Sequence, residues 1–259
     1  MDKELACRLE EMNRRFYELN ADSFSSTRRG PWPGWGRCLD AASGMLPASG
    51  ARMIDIACGN MRFERYLAES GRIPGSRVLA VDSCVEFAEQ EGLNRCAAGG
   101  VDVSFARCDV LEALRGEGLA ALFGEGVHNL VACFGFFHHV PGADTRAQLA
   151  GELCRLAAPG GLVVVSLWRF ASDPGLREQA ERTTEEACAA LGLAGLEAGD
   201  YILGWDGRPG TYRYCHSFSD EDVHVLEDSL PKGVRTVASF LSDGRTGALN
   251  AYLVLRHDS

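Results

Sequence analysis

Residues 51–67 read ARMIDIACGNMRFERYL, and this stretch decides the fold. A short apolar run passes through Asp55, a tight turn follows through Gly59, and helical spacing begins directly after it. Glycine has no side chain to hold a ligand away, so the backbone amides of such a turn can approach a nucleotide-like ligand. The stretch therefore predicts a strand, a binding turn and a helix. The predicted ligand contacts of this turn are Asp55, Ala57, Cys58, Gly59 and Asn60.

Acidic residues stand at the ends of the next two apolar runs. The run over 77–81 ends at Asp82, and a third run ends at Asp109. Because the carboxyl ends of parallel strands meet at one edge of a sheet, we expect both acids to lie near the first turn. The first acid suits the two hydroxyls of a ribose, and the second can accept a hydrogen bond from an adenine amino group. Further predicted contacts are Ser83, Cys108, Val110 and Phe134.

Strand and helix patterns alternate as far as about residue 167. Apolar runs over 129–134 and 162–167 predict a fourth and a fifth strand, and the second of these follows a Pro-Gly-Gly turn at 159–161. Runs over 234–241 and 249–255 predict a closing hairpin. The predicted fold is an α/β, Rossmann-like domain with a mostly parallel seven-stranded sheet, helices on both faces and a C-terminal antiparallel hairpin.

The strand-end acids and the Pro-Gly-Gly turn together resemble the class I S-adenosylmethionine-dependent methyltransferases. This resemblance implies S-adenosylmethionine as the cofactor. A nicotinamide-binding domain would need Gly-x-Gly-x-x-Gly, whereas this turn reads Ala57-x-Gly59-x-Met61. The methyltransferase family has glycine where this chain has Ala57 and Met61. The two side chains leave open a non-catalytic scaffold derived from such an enzyme, and Met61 is the feature that favours it.

The flanking segments divide the chain into four predicted parts. Residues 1–50 contain lid helices over 3–20 and 36–46 and an Arg/Trp-rich segment, and residues 51–170 form the cofactor-binding core. Residues 171–218 form a substrate-covering insertion with a helix over 175–191, followed by a glycine-punctuated stretch over 192–217. Residues 219–259 add a last helix and the hairpin. The proline-rich segment over 31–33 is expected to lie outside regular helix.

Two segments outside the core extend the resemblance to a particular family. The stretches FSSTRRGPWP at 24–33 and RYCH at 213–216 resemble elements of the tRNA wobble-uridine carboxymethyl methyltransferases. The resemblance implies transfer of the methyl group to the carboxylate of a 5-carboxymethyl-type uridine in tRNA. A small zinc-containing partner protein is also implied by the eukaryotic members. A methyltransferase that acts on a small metabolite stays open as an alternative, because one fold serves many acceptors.

A carboxylate acceptor is already anionic at neutral pH, so its methylation needs orientation and charge pairing more than a general base. We expect Arg29 or Arg213 to grip the carboxylate, and Trp32 or Tyr214 to stack on the base. His138 and His139 follow the fourth strand, and one of them is expected to be an ordinary loop residue. The predicted catalytic residues are Arg29, Arg213, His138 and His216. The predicted substrate-binding residues are Arg28, Trp32, Trp168, Arg169, Tyr212 and Tyr214.

Composition places limits on the partners and the compartment. The 259 residues carry a formal net charge of −10, so contact with tRNA is expected to be local, and the segment over 28–37 is the best basic and aromatic patch. No leader-like or membrane-spanning apolar run is present, so a cytoplasmic protein with no membrane partner is expected. Ten cysteines without a Cys-x-x-Cys pair predict reduced thiols and no metal site.

Overall fold

The computed structural model describes residues 1–27, 30–85 and 90–258. Its strands are β1 Arg52–Ile56, β2 Arg77–Asp82, β3 Asp102–Arg107, β4 His128–Cys133, β5 Ala157–Trp168, β6 Asp200–Trp205, β7 Arg208–His216, β8 Val234–Ser242 and β9 Asn250–His257. Its helices are α1 Lys3–Ser26, α2 Pro33–Ala41, α3 Arg62–Ser70, α4 Gln90–Ala98, α5 Val110–Arg115, α6 Leu119–Phe123, α7 Ala143–Leu156, α8 Pro174–Leu191 and α9 Asp220–Asp228. Short 3-10 turns follow β4 and β5 at Phe137–His139 and Phe170–Ser172.

The main sheet has seven strands in the order β3-β2-β1-β4-β5-β9-β8. The first five strands run parallel, and β9 pairs antiparallel with both β5 and β8. Strands β6 and β7 form a separate antiparallel hairpin. The predicted fold, including the seven strands and the closing hairpin, is confirmed. No helix in the described ranges is both long enough and apolar enough to cross a bilayer.

The central strands are buried on both faces because their residues alternate between two apolar clusters. In β1, Ile54 and Ile56 enter one cluster while Met53 enters the other. Strand β4 repeats the pattern, with Val131 on the first face and Leu130 on the second. Side chains in a strand point alternately to opposite faces, so a continuous apolar run fills both layers of a three-layer domain.

Helix α2 begins earlier than the sequence predicts. It starts at Pro33, where a helix was expected only from residue 36. Proline is tolerated at the first helical position because its missing N–H has no intrahelical partner there, so the exclusion of helix from the whole proline-rich segment was wrong. Helix α1 also extends beyond the predicted end at residue 20, and β5 begins before residue 162.

Helix α1 packs its apolar stripe against the β6–β7 hairpin rather than against the main sheet. Leu5 and Leu9 are buried in a cluster with Ile202 of β6 and Tyr214 of β7. Ala187 of α8 completes this cluster. The N-terminal helix and the late insertion therefore form one packed unit, although about 145 residues separate them in sequence.

The start of α2 packs tightly against the last strand. A Cβ atom at Gly34 would lie 2.2 Å from the ring of Tyr252, which is fully buried. The backbone N–H of Gly34 donates to Asp243 Oδ1 at 2.9 Å, and the Tyr252 hydroxyl and the Asn250 amide donate to Asp243 Oδ2. Asp243 thereby joins α2 to the β8–β9 hairpin at one end of the sheet.

Gly34→Ala is expected to lower the free energy of unfolding by about 1–3 kcal/mol, because the added methyl group overlaps a ring that cannot move without breaking its bond to Asp243. Urea unfolding followed by circular dichroism measures the change. Gly151→Ala is the control, since a Cβ there meets nothing within 4 Å and alanine favours the interior of α7. Equal stability of wild type and Gly34→Ala would contradict the packing described.

Candidate functional site

A cleft of about 660 Å³ lies at the carboxyl ends of the parallel strands. Its walls include residues that directly follow β1, β2, β3 and β4. The structure brings the whole predicted cofactor set to this cleft. These lining residues are Asp55, Ala57, Cys58, Gly59, Asn60, Asp82, Ser83, Cys108, Asp109, Val110 and Phe134.

The turn after β1 uses three left-handed residues. Ala57, Gly59 and Met61 have φ values of 59°, 55° and 51°. A non-glycine residue in this region costs about 1–2 kcal/mol, so the turn is strained at two positions. Hydrogen bonds to β2 hold it in place: Cys58 donates its backbone N–H to Val81 at 3.0 Å, and Gly59 donates to Asp82 Oδ2 at 2.9 Å.

Met61 does not obstruct this turn. Its side chain is fully buried and is absent from the cleft wall. Its terminal methyl group lies toward α4, 3.3 Å from the position of a Cβ on Gly92. The side chain that favoured a non-catalytic scaffold therefore packs away from the ligand side of the turn.

The residues of the cleft fit S-adenosylmethionine. A Cβ on Gly59 would meet nothing within 4 Å, so open space borders the turn where a ligand can approach the backbone. Asp109 caps the N-terminus of α5. Its Oδ1 atom accepts hydrogen bonds from the backbone N–H groups of Leu111 and Glu112. Within the described residues its Oδ2 atom accepts no hydrogen bond, so this atom is available to a ligand in the cleft. Asp82 also accepts from the N–H of Cys84 at 2.9 Å, which fixes its carboxylate at the strand end.

A second buried acid, Glu64 of α3, lies beside Asp55 beneath the turn. Glu64 is fully buried, and neither of its carboxyl oxygens has a hydrogen-bond partner within the described part of the chain. Burial raises the pKa of Glu64 to about 7. Burial and the charge of Glu64 raise the pKa of Asp55 well above its usual range. Both carboxyl groups therefore keep their protons to a higher pH than exposed carboxyl groups do.

The acceptor side of the cleft is formed by α1, the turn after β4 and the β6–β7 hairpin. Four residues that the sequence analysis predicted for the site line the cleft: Trp32, His138, Trp168 and Arg213. His139 also lies in this wall, where its Nε2 accepts a hydrogen bond from the Tyr17 hydroxyl at 2.6 Å.

Sequence reasoning missed two residues of α1 that hold this wall. Asn13 accepts the backbone N–H of Tyr214 at 2.8 Å and donates to the carbonyl of His139 at 3.4 Å. Tyr17 orients the ring of His139, and both residues line the cleft. The available signal was a polar residue, Asn13, that interrupts the apolar stripe between Met12 and Phe16.

Four predicted residues lie outside the cleft wall. The Tyr214 hydroxyl, fully buried, donates to Asp200 Oδ1 at 2.7 Å, and His216 Nδ1 lies 2.9 Å from the same oxygen. Tyr212 packs against the α1 cluster, and Arg169 pairs with Asp220. The expectation that these side chains face the substrate does not match their positions.

The alternation of β7 explains the difference between Arg213 and its neighbours. Tyr212 and Tyr214 both belong to the cluster beneath α1, so Arg213 between them points to the other side, into the cleft. The sequence element at 213–216 therefore contributes its arginine to the cleft and its tyrosine to the core. Arg28 and Arg29, predicted for substrate binding and catalysis, lie outside the described residues.

The sequence profile of a methyltransferase domain family matches residues 54–165. The chain carries a class I methyltransferase domain. The structure is similar to that of an S-adenosylmethionine-dependent methyltransferase from Methanosarcina mazei, with a TM-score of 0.58, 14% identity and coverage of 89% and 99% of the two chains. It is also similar to the N-methyltransferase NodS from Bradyrhizobium japonicum in complex with S-adenosylhomocysteine, with a TM-score of 0.53, 12% identity and coverage of 96% and 99%. The protein is an enzyme of this class, and S-adenosylmethionine is its cofactor.

Three curated relatives share sequence with this methyltransferase. A candidate methyltransferase of Encephalitozoon cuniculi is 26% identical over 82% of both chains. The tRNA (carboxymethyluridine(34)-5-O)-methyltransferase ALKBH8 of Macaca fascicularis is 32% identical over 66% of this chain and 22% of its own length. A ubiquinone biosynthesis O-methyltransferase of Paracidovorax citrulli is 27% identical over 66% of this chain and 59% of its own length. The prediction of a zinc-containing partner protein has no support in these similarities.

Met61→Gly is expected to destabilise the methyltransferase without tightening the binding of S-adenosylmethionine. Loss of a buried methionine side chain costs about 2–5 kcal/mol, which exceeds the roughly 1–2 kcal/mol of strain that is relieved. Thermal unfolding and calorimetric titration with S-adenosylmethionine measure the two quantities. Ala57→Gly is the control, because it relieves the same strain and removes only a methyl group. Tighter cofactor binding by Met61→Gly would show that the methionine obstructs the turn.

The Glu64–Asp55 pair predicts a pH dependence of stability. Because the pKa of Glu64 is raised to about 7 in the folded state, the folded protein binds more protons than the unfolded chain between about pH 4.5 and 7. The free energy of unfolding is therefore expected to fall as the pH rises through this interval. Glu64→Gln should flatten this fall and gain about 1–3 kcal/mol at neutral pH.

Urea unfolding of both proteins between about pH 5 and 8 measures the slopes, and Glu69→Gln is the control, since Glu69 lies exposed on the same helix. An identical slope in wild type and Glu64→Gln would mean that the pair does not hold a proton.

Proposed function

We propose that the protein transfers the methyl group of S-adenosylmethionine to a carboxylate, and that the acceptor is a 5-carboxymethyl-type uridine at the wobble position of tRNA. The observation that carries this proposal is Arg213, a guanidinium in the wall of the same cleft as the cofactor turn. A guanidinium can bind a carboxylate through two parallel hydrogen bonds, which fixes both its position and its orientation.

The surroundings of Arg213 favour a strong interaction with an anion. The side chain is only 6% exposed. Its guanidinium lies over the rings of Phe16, Trp168 and Trp205, at 5.3, 5.9 and 5.2 Å from their centroids. Aromatic rings restrict its rotamers and exclude water, and a charge pair in a dry site is screened less than one at the surface.

Methylation of a carboxylate needs few further catalytic groups from this chain. The acceptor carboxylate is ionised at neutral pH, so the oxygen that attacks the methyl group needs no base. S-adenosylmethionine supplies an activated methyl group when it is bound. The residues of this chain then have to place the carboxylate in line and exclude water, which is the task for which Arg213 and the aromatic wall are suited.

Two further features support a nucleic-acid acceptor. Trp32 lines the cleft, and a flat ring at a cleft wall offers a stacking surface for an unpaired base. The two acids that α1 places along the cleft, Glu10 and Glu11, pair with Arg115 and Arg14. These pairs reduce the repulsion that the acids would exert on a phosphate backbone. The similarity to ALKBH8 agrees with this acceptor.

A phenolic small molecule is the second candidate acceptor. A phenol has to lose its proton for methylation, and the Tyr17–His139 hydrogen bond places an imidazole in the cleft where it could take that proton. The similarity to ubiquinone biosynthesis O-methyltransferases favours this chemistry.

Arg213→Gln is expected to lower kcat/KM for a carboxylate acceptor by about 10–100-fold, because one charged hydrogen-bonded pair is lost, while the affinity for S-adenosylmethionine stays unchanged. The assay incubates the enzyme with radiolabelled cofactor and tRNA that carries 5-carboxymethyluridine, followed by nucleoside mass spectrometry. Arg235→Gln is the control, since Arg235 is an exposed arginine that pairs with Asp258 and lies outside both the cleft wall and the segment over 28–37.

A parallel reaction with a catechol separates the two candidates. Methyl ester in the tRNA nucleosides with no catechol product supports the wobble-uridine acceptor. Catechol methylation that survives Arg213→Gln, with unmodified tRNA, refutes the carboxylate proposal and supports the phenolic one.

A further inference from the structure

The acceptor wall contains a cluster of metal-binding side chains. His138 and His139 belong to the 3-10 turn after β4, and Cys215 belongs to β7. Their ligand atoms all lie within 4.8 Å of one another. We propose that these three residues form a site for a zinc-like divalent cation, with its remaining coordination position open to the cleft.

The spacing of the donors suits such an ion. Cys215 Sγ lies 3.7 Å from His139 Nδ1. Zinc bonds of about 2.3 Å to sulfur and 2.0–2.1 Å to nitrogen at a tetrahedral angle place the two atoms about 3.6 Å apart. The rings of His138 and His139 have centroids 4.1 Å apart, and a ring nitrogen of His138 lies within 4.8 Å of the other two ligand atoms.

His139 directs its Nδ1 atom toward the thiol of Cys215, the carbonyl of Tyr214 and the side-chain amide of Asn13. Its Nε2 contacts the Tyr17 hydroxyl at 2.6 Å on the opposite side of the ring. When Nδ1 binds a metal, the ring proton moves to Nε2 and is donated to the Tyr17 oxygen, which is the orienting contact that metal-binding histidines commonly make. The carbonyl of Tyr214, 3.0 Å from Nδ1, accepts its proton when no metal is bound.

The donor set selects the kind of cation. One thiolate and two imidazoles favour zinc and its neighbours among the transition metals, whereas magnesium and calcium prefer oxygen. All three residues are buried, with Cys215 fully so, which protects a metal–thiolate bond from water. The sequence analysis predicted no metal site because the ten cysteines contain no Cys-x-x-Cys pair. The fold brings together two adjacent histidines and a cysteine that follows 76 residues after His139.

Three protein ligands leave one position of a tetrahedral ion for water or substrate, as in catalytic zinc sites. His138 and His139 line the cleft and Cys215 does not, so the open position lies on the cleft side. An anionic oxygen of the acceptor fits that position. This last point rests on the proposed function, since a carboxylate or a phenolate supplies such an oxygen.

Cobalt(II) titration of the full-length, chelator-treated protein tests the site. We expect one-to-one binding with a thiolate-to-cobalt charge-transfer band, which zinc then displaces. Cys215→Ser should abolish the band and weaken cobalt binding by more than about 100-fold. Loss of a group that only hydrogen-bonds to a metal ligand already lowers metal affinity by about 10–100-fold, and Cys215 is itself a ligand. Cys7→Ser is the control, because Cys7 borders the same cleft and lies outside the cluster.

Wild-type protein that binds no cobalt, or a band that persists in folded Cys215→Ser, would overturn the proposal. If Cys215→Ser fails to fold by circular dichroism, His138→Gln replaces it, with the same loss of affinity expected and full affinity counting against the site. The cobalt titrations contain no methyl acceptor. The protein can therefore bind no cobalt and still methylate tRNA, or bind cobalt and leave tRNA unmodified. Metal binding and methyl transfer are thus decided separately.

Discussion

The site depends on the reversal of the strand order between β1 and β4, the paired neighbours at the centre of the sheet. From β1 the chain builds outward to β2 and β3 on one side, and from β4 it builds outward to β5 on the other. The segments that follow these two neighbouring strands therefore turn away from each other and leave a cleft at their carboxyl ends. The cofactor turn follows β1, and the histidine pair follows β4, so one topological feature places both groups of residues at the cleft.

The turn after β1 shows how tertiary contacts retain a strained backbone. Ala57 and Met61 adopt left-handed conformations that glycine adopts at lower cost. Asp82 binds the turn from the next strand, and burial of the Met61 side chain between α3 and α4 offsets part of the strain. Where glycine would adopt the left-handed conformation at little cost, this turn is stabilised by packing of the buried Met61 side chain. That side chain leaves the ligand side of the turn open.

The acceptor wall unites three segments that are distant in sequence. Helix α1 contributes Asn13 and Tyr17, the turn after β4 contributes His138 and His139, and β7 contributes Arg213. Hydrogen bonds from Asn13 and Tyr17 join these segments, so the shape of this wall depends on how α1 docks against the β6–β7 hairpin. The methyltransferase core could remain unchanged while this docked unit varies.

The sequence by itself determined the sheet, the cofactor turn and the strand-end acids, because strand period, turn chemistry and strand ends are local properties. It also placed Arg213 and His138 correctly in the cleft. Only the tertiary structure decided that Tyr214 and His216 are buried on Asp200, that burial raises the pKa of Glu64 and Asp55, and that Cys215 meets the histidine pair. Those outcomes depend on which face of a strand packs against which neighbour, and no short stretch of sequence contains that information.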